Sequence, residues 1–136
     1  MPEFTISATC QSPAEEVWKL LYDPHRFSEW WCGTERVEAV TADSATRYVA
    51  DWPDFPYPTR VTTRSDGTRV MISCLVSDIV QEWSLEPASG GCTVRLRVEV
   101  PEAEAQRLAT VRDELERSVP RLILAAERAD RAQPSR

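Results

Sequence analysis

From Glu35 onward the spacing of apolar residues changes once, and that change limits the folds open to the chain. From Glu35 to Val100 apolar residues return at every second position, the spacing of strands with one buried face. Beyond Pro101 they return at every third and fourth: Leu108, Val111, Leu115, Val119, Leu122 and Ala126 form one stripe. A curved antiparallel sheet with one apolar face and a single long amphipathic helix to cover it make an α+β domain. Pro120 lies within the stripe and is expected to kink that helix near 116–120.

The alternating part divides at turn residues. Strands are expected near 35–41 and 46–52, followed by P-D-F-P-Y-P, whose three prolines predict a stiff irregular loop. Asp66-Gly67 then separates TRVTTRS from TRVMISCL, the strongest local hairpin signal available. A two-residue loop sets Val61 opposite Ile72 and Thr63 opposite Val70. It turns Val61, Thr63, Val70, Ile72 and Cys74 to one face, and Arg60, Arg64, Arg69 and Met71 to the other. After a turn at Ser77-Asp78, Ile79, Trp83 and Leu85 share an inward face. After A-S-G-G, Cys92, Val94, Leu96, Val98 and Val100 face in while Arg95, Arg97 and Glu99 face out.

Before the sheet, EFTISATC alternates as a strand. Ser12 is the expected N-cap of a helix with Pro13 first, Glu15 and Glu16 in its first turn, and Ser12–Glu15 at capping-box spacing. Asp23-Pro24 ends it, and a second helical piece is expected at about 25–31, before Gly33.

With 136 residues the chain fits one domain, read as 1–132 with a frayed tail at 133–136. A domain of this size buries roughly 65–70 % of its unfolded surface and needs no disulfide or metal to fold. Its net charge of −6 disfavours nucleic acid as a partner. No apolar run approaches the roughly 20 residues of a membrane helix, and MPEFTISATC does not read as a secretory signal. Cys10, Cys32, Cys74 and Cys92 lack C-x-x-C spacing, and His25 is the one histidine, so no metal or other cofactor is expected. Reduced cysteines in a cytoplasmic protein are the expectation.

S-P-A-E-E-V-W-K-L-L-Y-D-P-H-R-F-S-E-W-W, followed by a V-E-x-V strand, resembles the opening of the SRPBCC superfamily: START, Bet v 1-like and polyketide cyclase-like proteins. The likeness extends to the Gly-Gly turn before the last strand and to the terminal helix. It implies a helix-grip fold: a curved seven-stranded antiparallel sheet around the C-terminal helix, two short helices between strands 1 and 2, and an apolar cavity between sheet and helix. The first strand would pair with the last. A register that puts Cys10 beside Cys92 and Phe4 beside Val98 is our own extension, and it makes a disulfide between them geometrically conceivable.

Under that resemblance the residues expected in the cavity or on its rim are Trp31, Tyr48, Trp52, Phe55, Tyr57, Val61, Thr63, Ile72, Trp83, Leu115 and Val119. The competing reading is that the large aromatics fill the interior as core and leave no site of ~300 Å³ or more. Phe55 and Tyr57 would gate the mouth from the proline-rich loop, with Arg60 pointing away, although an ordinary surface loop is the favoured reading of that stretch. Trp30 takes the family's usual tryptophan position and closes the base of the fold. His25, flanked by Asp23 and Arg26, is read as solvent-facing or capping rather than as a catalytic base. The arginine face (Arg60, Arg64, Arg69, Arg95, Arg97) is read as solvated and interleaved with acids.

The sequence lacks G-x-S-x-G, G-x-x-x-x-G-K-[ST], H-E-x-x-H and G-x-G-x-x-G. Catalytic residues are not assignable, and enzyme activity stays open. The leading expectation is binding of a small hydrophobic or aromatic ligand. The alternatives are a polyketide cyclase/dehydrase-like enzyme, drawing on Tyr48, Tyr57, Thr63, Asp51 or Arg60, and an Hsp90-activator-like interaction domain. A homodimer is compatible with each.

Overall fold

The computed structural model describes residues 2–64 and 66–132; the tail expected at 133–136 lies outside them. The strands are β1 (Glu3–Cys10), β2 (Thr34–Glu38), β3 (Ser44–Val49), β4 (Trp52–Thr63), β5 (Arg69–Cys74), β6 (Val80–Ala88) and β7 (Gly91–Glu99). They form one antiparallel sheet in the order β1-β7-β6-β5-β4-β3-β2. Between β1 and β2 lie α1 (Ala14–Tyr22) and α2 (Phe27–Trp30), joined by a 3-10 turn at Pro24–Arg26. A second 3-10 turn, Glu102–Arg107, leads into α3 (Leu108–Arg131). This is the expected helix-grip fold.

The registers follow from alternation and turn chemistry. Val61 pairs with Ile72 and Thr63 with Val70. Phe4 pairs with Val98, and Cys10 with Cys92. Gly91 opens β7 where an added Cβ would lie 2.0 Å from the Cys10 carbonyl oxygen, so only glycine lets β1 approach. The Cys10 and Cys92 thiols are free. Burial pushes the Cys92 thiol up to about 11, and the neighbouring Cys10 adds to the effect. On the outer face Arg97 pairs with Glu3 and Glu99, and Arg69 with Glu82.

α3 lays Val111, Leu115, Val119, Leu122 and Ala126 into the core, as its stripe predicts. It runs continuously from Leu108 to Arg131 with Pro120 inside, so the proline does not interrupt it. Below it, Phe27, Trp30, Trp31 and Trp83 form an aromatic cluster. Trp30 stacks on Trp31 with centroids 5.6 Å apart and meets Trp83 edge-on at 5.4 Å. Buried indole N–H groups need acceptors. Trp30 Nε1 donates to the Leu20 carbonyl at 2.9 Å, and Trp83 Nε1 to Gln81 Oε1 at 3.0 Å.

Local expectations fail at five places, four of them small. Ser12 does not cap α1: Pro13 is the N-cap residue, and the Ser12 hydroxyl is buried 3.1 Å from Cys10 Sγ. Glu15 makes no capping box and pairs instead with Lys19. β2 ends at Glu38, not near 41, because Ala39 turns into the left-handed region at φ 53°. β3 is shifted to Ser44–Val49, turning through Ala50 and Asp51.

The largest departure is P-D-F-P-Y-P, which belongs to β4 rather than to a loop. β5 reaches β4 only from Thr59, which pairs with Cys74, so the prolines lack an N–H where no ladder needs one. The pairing with β3 slips as well. Val49 opposes Trp52 and Arg47 opposes Tyr57, so residues 53–56 bulge across from Tyr48.

Candidate functional site

Away from the aromatic cluster, the inner faces of β3, β4, β5 and β6 and the N-terminal half of α3 enclose a cavity of about 250 Å³, open on one side. Its apolar wall is Ile72, Ile79, Val111, Leu115 and Trp31. Its polar wall is Arg47, Thr59, Ser77, Gln81, Thr110 and Glu114. Asp51, Tyr57, Cys74 and Arg107 also line it.

Arg47 is the central residue. Strand parity on β3 turns Ala45 and Arg47 inward and leaves the arginine 8 % exposed. A buried guanidinium is costly unless its charge is matched and its N–H groups are bonded. One face lies on the Trp31 ring, with Cζ 3.7 Å from the centroid. Nε donates to Thr34 Oγ1 at 2.7 Å, and Nη2 to Glu114 Oε1 at 2.9 Å. Burial pulls the Arg47 guanidinium below its ordinary value, while Glu114 works in the opposite direction. Guanidinium groups start so high that it stays charged.

Glu114 is held in turn. Its Oε1 also accepts Trp31 Nε1–H at 2.8 Å. One turn further along α3, the Ser118 hydroxyl donates to the Glu114 carbonyl at 2.8 Å and accepts the Cys32 N–H at 2.9 Å. The segment after α2 is thereby pinned to α3, and Trp31 is fixed between core and cavity. Trp31, Arg47 and Glu114 are one hydrogen-bonded unit drawn from three elements.

Of the residues expected at the cavity or rim, Trp31, Tyr57, Ile72 and Leu115 line it. Val61, Trp83 and Val119 are buried in the core and do not. Thr63, the last residue of β4, is exposed, although its partner Val70 is buried in the core. Tyr48 has the opposite parity to Arg47, and its ring lies under the Arg36 guanidinium, 3.9 Å from the centroid. Trp52 is 59 % exposed. The β4 bulge lays Trp52 against Phe55, and Phe55 against Tyr57, each pair 4.9 Å apart. Only Tyr57 of this ladder reaches the cavity. Arg60 is exposed on the outer face, as expected, and Asp51 is exposed at the mouth. His25 is exposed, its backbone N–H donating to Asp23 Oδ1 at 3.0 Å, a capping contact.

Sequence reasoning missed Arg47, Gln81 and Glu114. The available signal for Arg47 was its parity with Ala45 and Val49, and for Gln81 its parity with Ile79 and Trp83. Among the described residues no group of three or more His, Cys, Asp or Glu side chains is placed to hold a metal ion. No helix among them is long and apolar enough to cross a membrane.

The fold has solved counterparts. Protein NE0264 from Nitrosomonas europaea superposes with a TM-score of 0.73 at 11% identity, covering 93% of this chain and 95% of that one. The AHSA1-like protein from Aeromonas hydrophila gives 0.65 at 17% identity, covering 94% of each. DynU16, from the dynemicin biosynthetic locus, gives 0.67 at 20% identity, covering 94% of this chain and 48% of that one. At these identities the likeness shows the fold alone. No curated protein matches the chain in sequence. The model of one family, described as polyketide cyclase / dehydrase and lipid transport, matches residues 1–127. With almost its whole length matched, the chain belongs to that family.

Proposed function

We infer that this protein binds a compact hydrophobic or aromatic molecule in the cavity between the sheet and α3. The observation that carries the reading is the cavity itself, about 250 Å³ with an apolar wall of Ile72, Ile79, Val111 and Leu115. Its volume lies just under the roughly 300–1,000 Å³ of drug-sized sites, which suits a small ligand. The family description, with its lipid transport and cyclase activities, supports the same class of ligand. Native mass spectrometry of protein purified from its own host tests it. A small organic adduct that leaves on denaturation is expected. Protein that carries no adduct and takes up no apolar probe would overturn the reading.

A cyclase/dehydrase-like activity is the second reading. It is favoured by Arg47, Tyr57 and Glu114 lining one cavity, where a donor can polarise a carbonyl and other groups can move protons. Turnover of a poly-β-ketone substrate that falls with Tyr57→Phe but not with Tyr48→Phe would promote it. The interaction-domain reading requires a contiguous apolar patch. Among the described residues the exposed large apolar side chains are Tyr22, Trp52, Met71, Leu75, Val76 and Leu124; apart from the adjacent Leu75 and Val76 they lie on different elements, so the cavity is the better-supported site. A reducing, cytoplasmic setting goes with the ligand-binding reading and suits four cysteines without metal spacing.

A further inference from the structure

We propose that the Arg47–Glu114 pair selects a neutral ligand bearing a carbonyl oxygen, such as an aryl ketone, over the matching carboxylate. This rests on the cavity being a ligand site, and it specifies the chemistry of what enters. The Arg47 guanidinium is satisfied on three sides, by the Trp31 face, by Thr34 at Nε and by Glu114 at Nη2. Nη1 has no acceptor among the described residues, although Arg47 is nine-tenths buried and lines the cavity. A guanidinium N–H at the cavity wall can be given to a ligand oxygen in place of water, and a hydrogen bond from a charged donor is stronger than one between neutral groups.

Charge decides which acceptor it is. The Arg47 charge is already matched by the Glu114 carboxylate at 2.9 Å. A ligand carboxylate would be a second anion at the same guanidinium, facing Glu114 where burial weakens screening. The other arginine of the lining, Arg107, has its own partner in Glu104 at 3.6 Å. A ketone oxygen accepts the Nη1 N–H and brings no charge. The apolar wall of Ile72, Ile79, Val111 and Leu115 takes the rest of the molecule.

Three probes of similar shape test this in the whole chain, with binding followed by amide chemical shifts: 2-acetylnaphthalene, naphthalene and 2-naphthoate. The ketone is expected to bind about tenfold or more tighter than either of the others, the effect of one hydrogen bond to a charged donor. Arg47→Met should bring the ketone down to the affinity of naphthalene. Glu114→Gln keeps an acceptor for Trp31 and Arg47 but removes the negative charge, so it should raise naphthoate to the ketone's affinity or above it. Wild-type protein that binds naphthoate as tightly as the ketone, or the ketone no tighter than naphthalene, overturns the proposal while leaving the cavity as a ligand site. If none of the three binds, both readings fall. The ranking on wild-type protein decides the matter even where Arg47→Met does not fold.

Discussion

The two ends of the concave face belong to one sheet and lie under one helix, α3, yet one is solid and the other hollow. At the solid end Trp30, Trp83, Leu85, Val94 and Leu96 fill the space below α1 and α2, and the indole N–H groups of Trp30 and Trp83 end on nearby oxygens. At the hollow end the inward positions carry Ala45, Arg47, Thr59, Ile72 and Gln81, whose side chains leave about 250 Å³ unfilled. Inward direction alone therefore does not make a core. Side-chain volume and the ability to satisfy polar groups decide whether an inward position packs or lines a site. One thiol and one guanidinium show the same contrast. The dry end lifts Cys92 to about 11, whereas the open end keeps Arg47 charged beside Glu114.

Four measurements break or sharpen this contrast. Trp30→Ala should cost most, about 3–5 kcal/mol in urea unfolding, because a fully buried indole leaves a cavity that the stacked Trp31 and edge-on Trp83 cannot close. A loss below about 1 kcal/mol would mean that the solid end is not tightly packed.

The Cys92 thiol supplies the next effect. Its folded value of about 11 lies above the ordinary 9.0, so its contribution is intact below pH 9 and is lost as pH rises from about 9 to 11. The decline should reach about 2–3 kcal/mol by the top of that range. Unfolding midpoints of wild type and Cys92→Ala, compared at pH 8 and pH 11, should converge with rising pH. Parallel pH profiles would show that this end is wetter than the structure implies.

Val111→Trp places an indole in the hollow end. It should abolish uptake of apolar probes while shifting stability by about 1 kcal/mol in either direction, since the space it fills is empty. Retained probe binding would move the site elsewhere. Trp52→Ala should matter least, under about 0.5 kcal/mol, because this tryptophan is 59 % exposed. Set beside Trp30→Ala, it tests whether the same residue type has opposite roles at two positions.

The sheet could be read residue by residue because its signals are local. Asp66-Gly67 set the β4–β5 register, and alternation in Cys92–Val100 set which way β7 faces. The family resemblance added the β1–β7 pairing and the grip of α3. The cavity was harder to read. Aromatic residues drew the eye to Tyr48, Trp52 and Phe55, but parity turns Tyr48 outward, and the bulge at 53–56 lays Trp52 and Phe55 along the surface. The residue that organises the site, Arg47, carries no local signal beyond its parity with Ala45 and Val49.

Sequence alone determined the β4–β5 register, the inward face of β7 and the stripe of α3, since each depends on turn residues or periodicity within a short stretch. Tertiary structure alone decided that Arg47 is buried. Its charge is tolerable only because Glu114, 67 positions away, arrives on α3 at 2.9 Å with Trp31 beneath the guanidinium. A strand cannot announce that partner, because the cost of burying a charge is offset by groups that meet it only once the fold has formed.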